Sequence, residues 1–179
     1  MLNLITQNTA LPLTLSSVKE SLAIDSTSDD NRLTAMIWAA SLFIEKSTNR
    51  SFSSNTYELT LDSFPRRIDV PLPPLASITY IKYYDTNNTL QTMNSSDYIV
   101  VFGQRSKSTI THIENFPATY NRPDAVTIRF TTAATENTEL FKMAVKVLVA
   151  HWNENREGQQ IPAGFDSILN MLTCWQGVW

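Results

Sequence analysis

The hydrophobic period of the chain changes twice, and this double switch limits the folds open to it. Apolar residues recur at helical spacing up to about Thr48, alternate from Phe52 to Phe130, and return to helical spacing from about Thr138. A helix buries a stripe repeating every three to four residues, whereas a strand buries every second residue. The two helical zones, 13–50 and 137–174, must pack on each other for either to bury its stripe. The strand zone, about 52–132, is therefore an insertion. The expected fold is α+β: N- and C-terminal helices packed as a small bundle with an inserted antiparallel β-sheet or β-hairpin region. At 179 residues the chain suits a single domain spanning 1–179.

In the first zone, Ser17-Val-Lys-Glu20 has the form of a capping box and predicts a short helix through Ile24. Ser28-Asp29-Asp30 predicts the start of a second helix ending near Thr48. Leu33, Met36, Ile37, Ala40, Phe43 and Ile44 form its stripe. Trp38 and Leu42 fall about 140–180° from Leu33 at 100° per residue. They are either a second core contact or a subunit interface, where Trp is enriched.

In the middle zone, Tyr57, Leu59 and Leu61 alternate with polar residues, as do Val126, Ile128 and Phe130. Further strands are expected at 78–84, 98–102 and 108–113, with a turn at Asp85-Thr-Asn87-Asn88. Pro65, Pro71, Pro73 and Pro74 punctuate the chain where a central strand cannot continue.

The third zone predicts a long helix from Thr138 to about Glu157, stopped by Gly158 and Pro162. Phe141, Ala144, Val145, Leu148 and Trp152 form its main stripe; Leu140, Met143, Val147 and Ala150 form a second. A helix apolar on two sides is either a central core helix or is packed against another subunit. Phe165, Ile168, Leu169 and Leu172 mark a last short helix. Trp175 and Trp179, with Val178, close the sequence on apolar groups that either dock onto the subunit itself or insert into a partner.

Several chemistries find no support. Net charge is −3, and Arg66-Arg67 is the only basic doublet, so tight binding to DNA phosphates is not expected. One cysteine, Cys174, allows no internal disulfide and no four-thiolate zinc site. No signal peptide or membrane span is indicated, so synthesis in a cytoplasm is expected. His151 and Glu154 share a helix face, but a metal needs a third ligand; a histidine hydrogen-bonded near a helix end is the simpler reading. His112 has no ligand pattern around it. Asp29-Asp30 and Glu154/Glu157 sit at helix ends, where carboxylates are ordinarily solvated caps. There is no nucleophile elbow, and Gly103 stands outside any phosphate loop. No catalytic residue, cofactor or metal is expected.

Five blocks carry a likeness to a known family. The first is Leu13-Thr-Leu-Ser-Ser-Val-Lys19 with Leu22-Ala-Ile-Asp25. The second is Asp29-Asp30 leading into Ile37-Trp-Ala-Ala-Ser41. The third is Leu72-Pro-Pro-Leu-Ala-Ser-Ile-Thr79, then Tyr83-Tyr-Asp85 and Asp97-Tyr98. The fourth is Asn121-Arg-Pro-Asp-Ala-Val-Thr-Ile-Arg-Phe-Thr131. The fifth runs from Lys142 to His151-Trp-Asn-Glu-Asn-Arg-Glu157, followed by Ile161-Pro162 and Ile168-Leu169. In this order the chain resembles the head–tail connector proteins (adaptor or head-completion proteins) of tailed bacteriophages. Thr132-Ala-Ala-Thr135 departs from the Gly-containing turn frequent in relatives.

The resemblance implies a structural virion neck protein that assembles under the portal after DNA packaging. It implies a ring of identical subunits, typically dodecameric, that supports the next neck or tail protein. DNA would pass through the ring without sequence-specific binding, and no membrane is involved. A head-to-tail ring needs two different faces of one subunit; Trp38 and Leu42, with Met143 and Val147, are the candidates. Trp175, Val178 and Trp179 are the candidates for docking to the portal. Other neck roles (stopper or tail terminator) remain open. So does a carbohydrate- or ligand-binding module built on Tyr80, Tyr83 and Tyr84.

Overall fold

The computed structural model describes residues 1–103, 107–133, 138–155 and 161–173. The fold is α+β, with four helices and two antiparallel sheets among the described residues. The chain divides into two compact units, one built mainly of strands and one of helices.

The helical unit contains α1 (Leu15–Leu22), α2 (Asp30–Thr48), α3 (Thr138–Glu154) and α4 (Phe165–Leu172). The start of α1 differs from the capping box expected at Ser17. Thr14 is the cap, and its hydroxyl oxygen accepts from the Ser17 amide at 3.3 Å. A cap at Thr14 places Leu15 and Val18 in the helix, where Val18 is fully buried. The start of α2 is where Asp29-Asp30 predicts it. Asp29 makes no side-chain cap bond, however; its carboxylate accepts from Arg32 Nε at 3.1 Å. Both helices end on a left-handed residue, Ala23 and Asn49, whose amide donates back to a carbonyl of the last turn.

The stripes read from the sequence are the buried ones. Leu33, Ile37, Ala40 and Ile44 of α2 share a core with Phe141, Ala144, Val145, Leu148 and Trp152 of α3. Val18, Phe165 and Leu172 join it from α1 and α4. Phe52 stacks face to face on Phe141, with ring centres 4.2 Å apart. Each such buried large side chain contributes about 1.5–3 kcal/mol relative to exposure.

The strand unit contains β1 (Leu2–Thr6), β2 (Thr56–Leu61), β3 (Ile68–Val70), β4 (Leu75–Tyr84), β5 (Leu90–Thr92), β6 (Tyr98–Val101), β7 (Ser108–His112) and β8 (Val126–Thr132). One sheet has the order β1-β2-β8-β4-β5, the other β3-β7-β6, and every described pairing is antiparallel. The strand β8 follows its sequence pattern: Val126, Ile128, Phe130 and Thr132 are buried and the residues between them are half-buried. Leu59, Ile68, Val70, Ile81, Ile110, Ile128 and Phe130 form a second core. Asp85 shapes the β4–β5 turn, its carboxylate accepting from the amides of Asn87 and Thr89 and from the Gln91 side chain at 2.9–3.0 Å.

Candidate assembly surface

The residues proposed for subunit contact lie on the helical unit. Trp38 is half-buried and, among the described residues, lies outside the cluster shared by α1–α4; Leu42, one turn along α2, is 40% exposed. Met143 on α3 is 46% exposed, whereas Val147 packs against the rim of the core. The structure therefore presents two apolar spots on different helices, each turned away from its helix's buried stripe. Trp175, Val178 and Trp179 lie outside the described residues.

Two clefts flank α1. The first, of about 450 Å³, lies between the start of α1 and α3. Leu13 and Met143 give it apolar walls, and Lys142, Lys146 and Glu139 give it charge. The second, of about 590 Å³, lies between the other flank of α1 and the start of α2. Glu20, Asp25 and Asp30 line it, beside Leu15, Lys19 and Ile24. The Asp29-Asp30 pair, expected as solvated caps, is engaged on both sides. Asp30 meets Lys19 at 2.7 Å and Asp29 meets Arg32 at 3.1 Å.

The strand unit adds an apolar surface that the sequence reading passed over. Tyr98 and Val100 of β6 face the core, while Ile99 and Val101 are 57% and 59% exposed. Among the described strands β6 stands at the edge of its sheet, where one side of the backbone has no ladder partner. Phe102 and Ile113 are exposed as well. The signal was present: a strand with apolar residues at every position cannot bury both faces in one small sheet.

The three rings considered for a sugar platform do not all share a face: Tyr83 turns to the core side of β4, opposite Tyr80 and Tyr84. Tyr80 donates to Glu58 Oε2 at 2.9 Å and lies beside the Lys82 ammonium and the Arg129 guanidinium. Tyr83 packs against Phe64 in the second core, and Tyr84 is covered by Arg122 at 4.0 Å. Burial raises the Tyr80 phenol's pKa, and its hydrogen bond to the Glu58 carboxylate raises it further.

The histidines are held locally. His151 Nδ1 lies 3.2 Å from the Asn155 side-chain nitrogen, and His112 Nδ1 accepts from the Glu114 amide at 3.1 Å. Among the described residues no three His, Cys, Asp or Glu side chains gather where a metal could be held. No described helix is long and apolar enough to cross a membrane.

The family model for head completion proteins matches residues 12–165. The chain belongs to the head completion protein family. That span takes in the sequence blocks from Leu13 to Ile161-Pro162, with α1, α2, α3 and the first residue of α4; Ile168-Leu169 lies beyond it. Solved structures share the fold of this family member. A chain from the neck of the empty gene transfer agent (GTA) particle, computed with C6 symmetry, superposes with a TM-score of 0.80 at 19% identity. A chain from the virion of the native GTA particle gives 0.79 at 19%, and one from the native GTA neck, computed with C12 symmetry, gives 0.77 at 21%. Each match covers 99% of this chain and 97% of the other. No curated protein sequence matches significantly.

Proposed function

We propose that this chain is a structural head–tail connector of a virion neck, assembling as a ring beneath the portal after DNA packaging. The observation that carries the reading is the head completion family match over residues 12–165. Fold likeness to chains from necks computed with C6 and C12 symmetry supports a cyclic arrangement, with twelve copies as the expected number. In this reading the terminal helices act as one small bundle whose outer faces carry the subunit contacts.

The physical case is consistent with that role. A heterologous ring uses two unlike faces of each subunit, and Leu42 and Met143 are exposed on different helices. The segment containing Trp175, Val178 and Trp179 serves as the portal anchor. The ring would give the next neck or tail protein its platform and let DNA pass without reading its sequence.

The test is head completion. Purified chain is added to DNA-filled, portal-bearing heads that lack it. Retained DNA and tail joining support the reading; heads that remain leaky and tailless contradict it. A chain ending before Trp175 is expected to fold yet fail to bind the portal.

A further inference from the structure

The helical unit carries unlike charge on the two flanks of one helix. Ser17 and Lys19 lie about 160° apart around α1 at 100° per residue, and each lines a different cleft. On the Ser17 side, Lys142 is paired with Glu139 at 2.7 Å, which leaves Lys146 as the uncompensated charge above the exposed Met143. On the Lys19 side, Lys19 is paired with Asp30, which leaves Glu20 and Asp25 uncompensated and exposed. Among the described residues, none of Lys146, Glu20 and Asp25 takes part in an ion pair.

A two-fold dimer needs one self-complementary patch. A head-to-tail contact instead needs two different patches that complement each other. An apolar-walled cleft with a spare ammonium group, and an acidic helix end beyond the other flank of the same helix, meet that requirement. We propose that the α1–α3 cleft receives the Glu20–Asp25 segment of a second copy of this chain. Lys146 then faces the Glu20 and Asp25 carboxylates, and Met143 lies beneath the incoming segment. Charge opposition of this kind fixes register and excludes the reversed packing, while the apolar walls supply contact area. The inference rests on the ring reading and names its contact.

The test is charge reversal in the full chain, with oligomer size read by native mass spectrometry, alone and with purified portal. Lys146→Glu is expected to raise the concentration needed for half-assembly by about tenfold or more, as like charges are then brought together. Glu20→Lys with Asp25→Lys is expected to do the same. The chain carrying all three changes restores assembly, because complementarity returns with its sign inverted. Raising salt weakens the wild-type ring and spares variants that have already lost the pairing. Thermal unfolding measured in parallel is expected to stay near wild type for every variant.

If wild type forms rings and the reversals assemble equally well, the contact is overturned while the ring reading stands. If Lys146→Glu leaves rings intact but abolishes portal binding, the cleft's partner is the portal and the second-copy assignment is wrong. If wild type forms no ring under either condition, the ring reading fails, and the contact with it.

Discussion

The Arg50 guanidinium donates to the Leu172 carbonyl oxygen at 3.1 Å, joining the residue after α2's cap to the last residue of α4 across 122 positions of sequence. Arg50 is only 3% exposed and also lies 5.5 Å from the centre of the Phe52 ring. A C-terminal helix carbonyl carries partial negative charge, so a buried cation is favoured beside this helix end. Arg50→Ala is expected to lower stability by about 1.5–3 kcal/mol, the worth of a hydrogen bond to a charged group. Arg50→Lys should recover only part of it, because an ammonium lacks the planar fork. Chemical denaturation of the three proteins checks this; an unchanged midpoint for the alanine variant would contradict it.

The outer faces of α2 and α3 make an opposite prediction. Leu42→Ser and Met143→Ser remove exposed apolar groups, so unfolding midpoints should hold while ring formation weakens. Trp38→Ala should behave alike with a modest stability loss, because Trp38 is half-buried. A fall of several kcal/mol for Trp38→Ala would place the ring in the core and remove it from the interface. Thermal unfolding and sedimentation of the same samples separate the two outcomes.

The turn closed by Asp85 should respond to acid. Hydrogen bonds from the Gln91 side chain and the Thr89 amide lower the Asp85 pKa below the ordinary carboxylate value. A depressed folded-state pKa means the contribution is present above the unfolded value and lost as pH falls through the folded one. Amide-exchange protection in Leu90–Thr92, measured against the intrinsic exchange rate at each pH, should therefore fall at acid pH, and Asp85→Asn should remove that dependence. Protection in those strand residues that stays constant with pH would refute the assignment.

Tyr80 gives the same sheet a dependence on alkaline pH. Its pKa is raised by burial and then by Glu58, so its neutral form belongs to the fold. The contribution holds below the ordinary tyrosine pKa and is lost as pH rises through the raised value. Tyr80→Phe, which removes the 2.9 Å bond to Glu58, should cost about 0.5–1.5 kcal/mol at neutral pH. It should also flatten the alkaline decline. A variant that loses stability as steeply as wild type would contradict the role given to Tyr80.

Much of this architecture could be read before any coordinates, for a physical reason. Long amphipathic elements repeat their signal: α2, α3 and β8 bury the stripes and alternations that their residues announce. Short elements do not. The strands β3 and β5 have three residues each, too few for a period, and β1 mixes Leu2, Leu4 and Ile5 without alternation. Partnership over long range is invisible too: nothing local tells Arg50 that it will meet Leu172. The same limit explains the α1 cap, where Ser17 and Thr14 both suit the role and only geometry chooses. The α1–α3 cleft needed the structure, because its walls come from segments more than a hundred residues apart.

The most direct test of the neck reading is electron microscopy of the purified chain mixed with its portal. The account predicts a closed ring of this chain, expected to hold twelve copies, seated on one end of the portal. A monomer that ignores the portal at concentrations where both are folded would contradict it.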